Sequence, residues 1–226
     1  MTELAWCLGV LLVSFVILYP MREIFLGLSD EGVLPAGASR MIRGQITYKD
    51  FFEFQVPVPF FLTASVFAAF GESMGTVRGL GLCIGVLCSL LSYVLARIVG
   101  LSRSVSLIPS LFLLWSGSPL YLTHHWFALV FFLGGLLLIQ KMRGPGSSLL
   151  TIFACGLFVG LEILTVQTKG AALGIVFLGS LAIVPQLRDR VKLATGMLGI
   201  IAFLGLFCVY FLWHGCLLTM LYDTMI

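Results

Sequence analysis

The chain is a succession of long apolar runs divided by short polar breaks, and no polar remainder is large enough to form a separate water-soluble domain. Backbone amides in hydrocarbon must be satisfied within the protein, so such runs are expected to fold as spanning helices of about 20 residues. Charged residues make up 10% of the chain, against about 25% in soluble domains. Hydrophobic residues make up 60%, and the mean hydropathy is +1.11. The first run, "LAWCLGVLLVSFVILY", lacks a basic leader and a small-residue cleavage site, so it reads as a retained helix rather than a signal peptide. The net charge of +3 is too small and too scattered for a nucleic-acid partner. Six cysteines lie in or beside apolar runs without metal-ligand spacing or a pairing framework, which makes them buried small thiols.

Seven spans are expected, at roughly residues 4–21, 79–98, 105–122, 126–140, 149–166, 170–186 and 193–213. Arg97 and Arg103 flank one connection, Lys141 and Arg143 another, and Arg188, Arg190 and Lys192 a third. These connections are separated by even numbers of spans, so all three can be cytoplasmic, with the amino terminus inside and the carboxyl terminus outside. The apolar stretch Val56 to Gly71 is too short to span and would upset this orientation if it did. Residues 22–78 therefore become one long extracytoplasmic loop carrying short interfacial helices. The fold class is an all-α polytopic membrane protein, a single module over residues 1–226.

That loop gathers the polar chemistry. Ser29 to Phe54 holds Asp30, Glu31, Asp50 and Glu53, four of the ten carboxylates, together with Arg40, Lys49 and Arg43. Within it, Val33 to Arg43 has helical periodicity, with Leu34, Ala38, Met41 and Ile42 on one side and Ala36, Ser39, Arg40 and Arg43 on the other. Ser29 or Asp30 is placed to cap this helix and Gly44 to end it. Its apolar side would lie on the bilayer while both arginines face water or a lipid phosphate.

The order Asp-Glu-Gly, "ASRMIRGQITYKDFFEF", a proline-containing apolar stretch and "FGESMGTVRG" resembles the first extracytoplasmic loop of bacterial GT-C membrane glycosyltransferases. Within that family it is most similar to the protein-mannosyltransferase and aminoarabinose-transferase group. "SPLYLTHHWFALVFF" falls where the group has its second outer loop, and "LEILTVQTKGAALG" resembles a recurrent K-Q-T-x-G stretch. The resemblance implies an inverting sugar transfer at the outer face of the bacterial inner membrane. The donor would be a polyprenyl-phosphate-linked sugar, and the acceptor a lipid, glycan or protein. By position, Asp30 would be the residue that activates the acceptor or organises the site. Some members hold a divalent cation, Mg or Mn, between the two loops, which here makes Asp30 and His125 the candidate ligands.

The residue types suit that chemistry. Displacement at an anomeric carbon needs a base for the acceptor hydroxyl and positive charge on the departing phosphate. Asp30 is the candidate base and Glu31 a supporting hydrogen-bond acceptor. Asp50 either pairs with Arg40 or Arg43 to hold the loop together or shapes the sugar site; Glu53 is a weaker candidate. Arg40 and Arg43 are phosphate ligands or snorkelling anchors. Arg78 and Lys169 compete for the phosphate, and Lys169 and Gln167 lie in the family-like stretch. His124 and His125, beside Trp126, belong to an aromatic belt or contact the acceptor or sugar. Glu162, deep in an apolar run, is expected to neutralise Lys169 two helical turns on, and His214 to lie at the interface.

At "FQVPVP" the pattern departs from the family: Gln55 and Val56 stand where relatives carry consecutive prolines, often preceded by lysine or histidine. The donor phosphate is then expected to rely on another basic group. Relatives usually run on past the position of Ile226, so the chain is expected to be an amino-terminal module, a minimal enzyme, or an inactive module serving a second membrane subunit. A small transporter is the remaining alternative, and the crowding of charge at the surface rather than the midplane argues against it.

Overall fold

The computed structural model describes residues 2–22, 32–115, 122–144 and 147–225. Those residues are all-α: α1 (Glu3–Met21), α2 (Val33–Ile42), α3 (Val58–Phe70), α4 (Met74–Ile98), α5 (Arg103–Trp115), α6 (His124–Arg143), α7 (Leu149–Ile163), α8 (Gln167–Ile183), α9 (Arg190–Trp213) and α10 (Leu217–Met225). A short 3-10 turn, Pro185–Leu187, links α8 to α9. No strand forms among the described residues beyond an isolated bridge between Thr47 and Phe51.

Four helices, α1, α4, α6 and α9, are long and apolar enough to cross a membrane. Their outer faces need a hydrocarbon solvent. On α1, Leu4, Leu8, Leu12 and Val16 recur at every fourth position and are each more than half exposed, an apolar stripe that water would penalise. The remaining expected spans are shorter helices: α5 has 13 residues, α7 has 15 and α8 has 17. Part of the expected 105–122 span falls outside the described residues. The chain leaves helix at Leu164 and re-enters it at Gln167, ending the connection between the fifth and sixth expected spans earlier than expected. The stretch expected not to span forms α3, whose 13 residues extend about 20 Å, short of a bilayer core. α10 was not anticipated.

Contacts fix the helix directions. Glu3 at the start of α1 meets Arg97 at the end of α4 and Arg103 at the start of α5. Midway along, Ser14 donates to Ser89 at 2.9 Å, and Ser110 donates to the Ser89 carbonyl at 2.8 Å. α1 and α4 are therefore antiparallel, and α5 turns back beside them. α7 and α9 run parallel and touch backbone to backbone: a β-carbon at Gly156 would lie 2.2 Å from the Gly196 carbonyl oxygen, and one at Gly199 2.3 Å from that of Phe153. Small residues permit this approach, which is how helices bind one another where lipid supplies no hydrophobic drive.

Two apolar cores fill the bundle. One joins α2, α3, α4 and α6 through Leu34, Phe60, Phe67, Ile84 and Phe127. The other joins α6, α7 and α8 through Ile139, Ile152, Val159, Leu173 and Phe177. A smaller cluster seats Tyr48 of the loop on Phe211, Cys216 and Met220 of the α9–α10 corner. The bundle thus has a basic end, with Arg97, Arg103, Lys141, Arg143, Arg188, Arg190 and Lys192 at helix termini and turns, and a loop end, where α2, α3 and α10 lie.

Candidate functional site

The loop end brings most of the sequence-predicted polar residues to one side of the molecule. α2 forms over the expected residues and ends where Gly44 adopts φ +86°, a conformation glycine takes without strain. Its start differs from expectation. Gly32 is the N-cap; Ser29, Asp30 and Glu31, the expected cap among them, lie outside the described residues.

The buried face of α2 also differs. Ser39, expected beside the arginines in water, is buried and donates to Glu72 Oε1 at 2.6 Å. Arg43 Nη2 reaches both Glu72 oxygens at 3.2 Å. Ile42, expected on the apolar side, is 40% exposed. The reason is tertiary: Gly37 lies against the ring of Phe60, and this close approach turns Ser39 toward the α3–α4 corner. Glu72 is the functional candidate that sequence reasoning missed. A lone carboxylate directly after Gly71, in the corner between two apolar runs, was the available signal. Beside it lies a cleft of about 460 Å³, lined by Pro35, Ala36, Ser39, Phe67, Glu72 and Met74. The Arg43 and Glu72 side chains are 66% and 40% exposed, so a double-mutant cycle of Arg43→Gln and Glu72→Gln should give a coupling of only about 0.5–1 kcal/mol in detergent unfolding.

Asp50 pairs with neither arginine. Its Oδ2 accepts the Ile46 N–H at 2.7 Å, closing a tight turn in which the amides of Lys49 and Asp50 both donate to the Ile46 carbonyl. Proximity along the chain favours this over a partner seven or more residues away. Arg40 instead places its guanidinium 4.9 Å from the Phe51 ring centroid, a cation–π contact. At the head of the turn Tyr48 is held at φ +66°, strained for a residue with a β-carbon. Its ring packs edge-on to Phe211, and its hydroxyl donates to the Gln55 carbonyl. Burial pushes the Tyr48 phenol up from its ordinary range.

The "FFEF" segment alternates as extended chain does. Phe51 and Glu53 face inward, while Phe52 and Phe54 are 71% and 60% exposed. Burial raises the Glu53 carboxyl above the usual carboxylate range, opposed by the Gln55 and Phe54 amides that donate to its Oε1. The loop is then fastened to the bundle by a backbone bond of 3.0 Å from Val58 to the Leu164 carbonyl.

Leu164 opens the α7–α8 break, so the helix does not continue across residues 164–166. Glu162 and Lys169 make no contact ion pair, although each still feels the other's charge. Lys169 Nζ turns to the His125 carbonyl at 3.3 Å. Glu162 is fully buried, and neither carboxylate oxygen accepts a hydrogen bond. A buried carboxylate without a donor costs more than an apolar side chain of similar volume. Glu162→Met should therefore raise stability by about 1–2 kcal/mol, read as a later denaturation midpoint in detergent.

Around the same end, the His124 and His125 rings lie with centroids 4.1 Å apart and are tilted by 40°. Gln167 Nε2 donates to the Thr224 carbonyl at 3.1 Å, tying α8 to α10. Arg78 is buried on the second turn of α4. His214 packs against Tyr210 with centroids 4.6 Å apart. Among the described residues no three His, Cys, Asp or Glu side chains converge as metal ligands; of the expected pair, His125 is described and Asp30 is not.

The fold and these contacts define an α-helical protein with four helices long and apolar enough to cross a membrane, a basic end and a loop end. No family model, characterised protein or solved structure matches the chain at a significant level.

Proposed function

We propose that this protein is a seven-span membrane glycosyltransferase module, formed by α1 and α4 to α9, that moves a sugar from a polyprenyl-phosphate carrier at its loop end. The observation that carries the reading is the division of charge. Carboxylates and histidines gather at the loop end together with Arg40, Arg43 and Lys169, while seven basic residues against two acids, Glu3 and Asp189, gather at the other. With the basic end in the cytoplasm, the loop end meets the outer leaflet of a bacterial inner membrane, where a lipid-linked phosphate would sit.

In the reaction an acceptor hydroxyl oxygen attacks the anomeric carbon as the bond from that carbon to the phosphate oxygen breaks. The hydroxyl proton passes to Asp30, and the polyprenyl phosphate leaves with one additional negative charge. Lys169 and Arg40 are the cations available to that charge, because Arg43 is committed to Glu72. The cleft beside Ser39 and Glu72 offers hydrogen-bond acceptors to sugar or acceptor hydroxyls. Glu162 lies in the last turn of α7, near the loop end rather than the midplane, which weighs against the transporter reading.

Profiling lipid-linked sugars in cells with and without the gene tests this. A polyprenyl-phosphate sugar should accumulate when the gene is removed. Identical profiles, with the protein recovered in complex with a second membrane subunit, would favour the inactive-module reading instead.

A further inference from the structure

We propose that the crevice between α1 and α5 is a binding site for one anionic phospholipid of the leaflet on the basic side. The crevice measures about 310 Å³ and is walled by Ala5, Gly9 and Val13 of α1 and Leu107 and Leu111 of α5, with Ser89 of α4 at its floor. From Ala5 to Val13 it runs about 12 Å along the helix. It is open rather than merely loosely packed, since a β-carbon at Gly9 would meet nothing within 4 Å. The polar groups at its floor are already engaged: Ser14 donates to Ser89, and Ser110 to the Ser89 carbonyl. What the crevice presents is therefore hydrocarbon, suited to an acyl chain. Next in sequence to its lining residues, Ile108 and Phe112 of α5 and Leu12 of α1 are apolar and each more than 60% exposed.

Charge selects the headgroup. Arg103 stands one turn before Leu107 on the same face of α5, at the basic end of the crevice. Glu3 binds Arg97 Nε at 2.6 Å and Arg103 Nε at 3.0 Å, so two guanidinium groups share one carboxylate and the cluster keeps a net positive charge. The remaining guanidinium edge of Arg103, whose side chain is 45% exposed, is placed for a lipid phosphate. A zwitterionic headgroup would bring its own cation to this cluster and gain less. A second copy of the chain would fill the crevice with a helix but would leave this charge unmatched.

The test is native mass spectrometry of the full chain released from nanodiscs of phosphatidylglycerol or phosphatidylcholine. The wild type should retain phosphatidylglycerol about fivefold more than phosphatidylcholine, as one additional basic contact allows. Gly9→Phe, which enters the crevice from a position where a β-carbon meets nothing within 4 Å, should lose the bound lipid while melting as the wild type does. Arg103→Gln should keep lipid but lose the preference. Equal retention of the two lipids by the wild type, undiminished phosphatidylglycerol on Gly9→Phe, or a dimer that Gly9→Phe disrupts would each overturn the proposal.

Discussion

Gly156→Leu should cost about 3 kcal/mol or more of stability, the upper end of what overpacking does. The new β-carbon would be 2.2 Å from the Gly196 carbonyl oxygen and 3.1 Å from the Gly199 α-carbon. These are backbone atoms of α9 and cannot rotate aside as a side chain would, so α7 and α9 must part. Separation would also uncover Gly160, which approaches Phe203 and Ile200 on the same face. Gly205→Leu is the control, because a β-carbon there meets nothing within 4 Å, and its effect should stay within about 0.5 kcal/mol. Unfolding midpoints in detergent separate the two. Equal midpoints would mean that these helices do not touch as described.

Asp30→Asn should lower the rate of sugar transfer by 10²-fold to 10⁴-fold, about the contribution of a general base. Asparagine keeps the size of the side chain and removes its capacity to take the acceptor proton, so donor binding should change little. A structural explanation would need Asp30 to hold α2. The N-cap of α2 is Gly32, and the melting midpoint of the variant in detergent reports whether folding survives the substitution. Turnover at the wild-type rate would remove Asp30 as the base and leave the loop end without an assigned one. Loss of the folded protein would instead assign Asp30 a structural role.

Local physics was legible in the sequence and long-range pairing was not. The periodicity of Leu34, Ala38 and Met41 located α2, and Gly44 marked its end, because both signals act within a turn or two of helix. The order of the apolar runs likewise gave the succession of helices. Ser39 was misplaced because its partner, Glu72, lies 33 residues away across another helix. Glu162 and Lys169 form no contact pair because "ILTVQT" breaks the helix without proline or glycine; there the turn is held by amide bonds from Thr165 and Val166 to the Glu162 carbonyl. Of the two readings of Asp50, the pairing with an arginine does not form because a nearer backbone amide was available. Short helices such as α10 carry too little apolar length to be distinguished from a tail.

The most direct test of the account is to reconstitute the purified chain in liposomes with a labelled polyprenyl-phosphate sugar and a hydroxyl acceptor. Acceptor-dependent release of polyprenyl phosphate, with inverted configuration at the transferred anomeric carbon, is the predicted result. A folded, correctly oriented protein that leaves every such donor intact would contradict it.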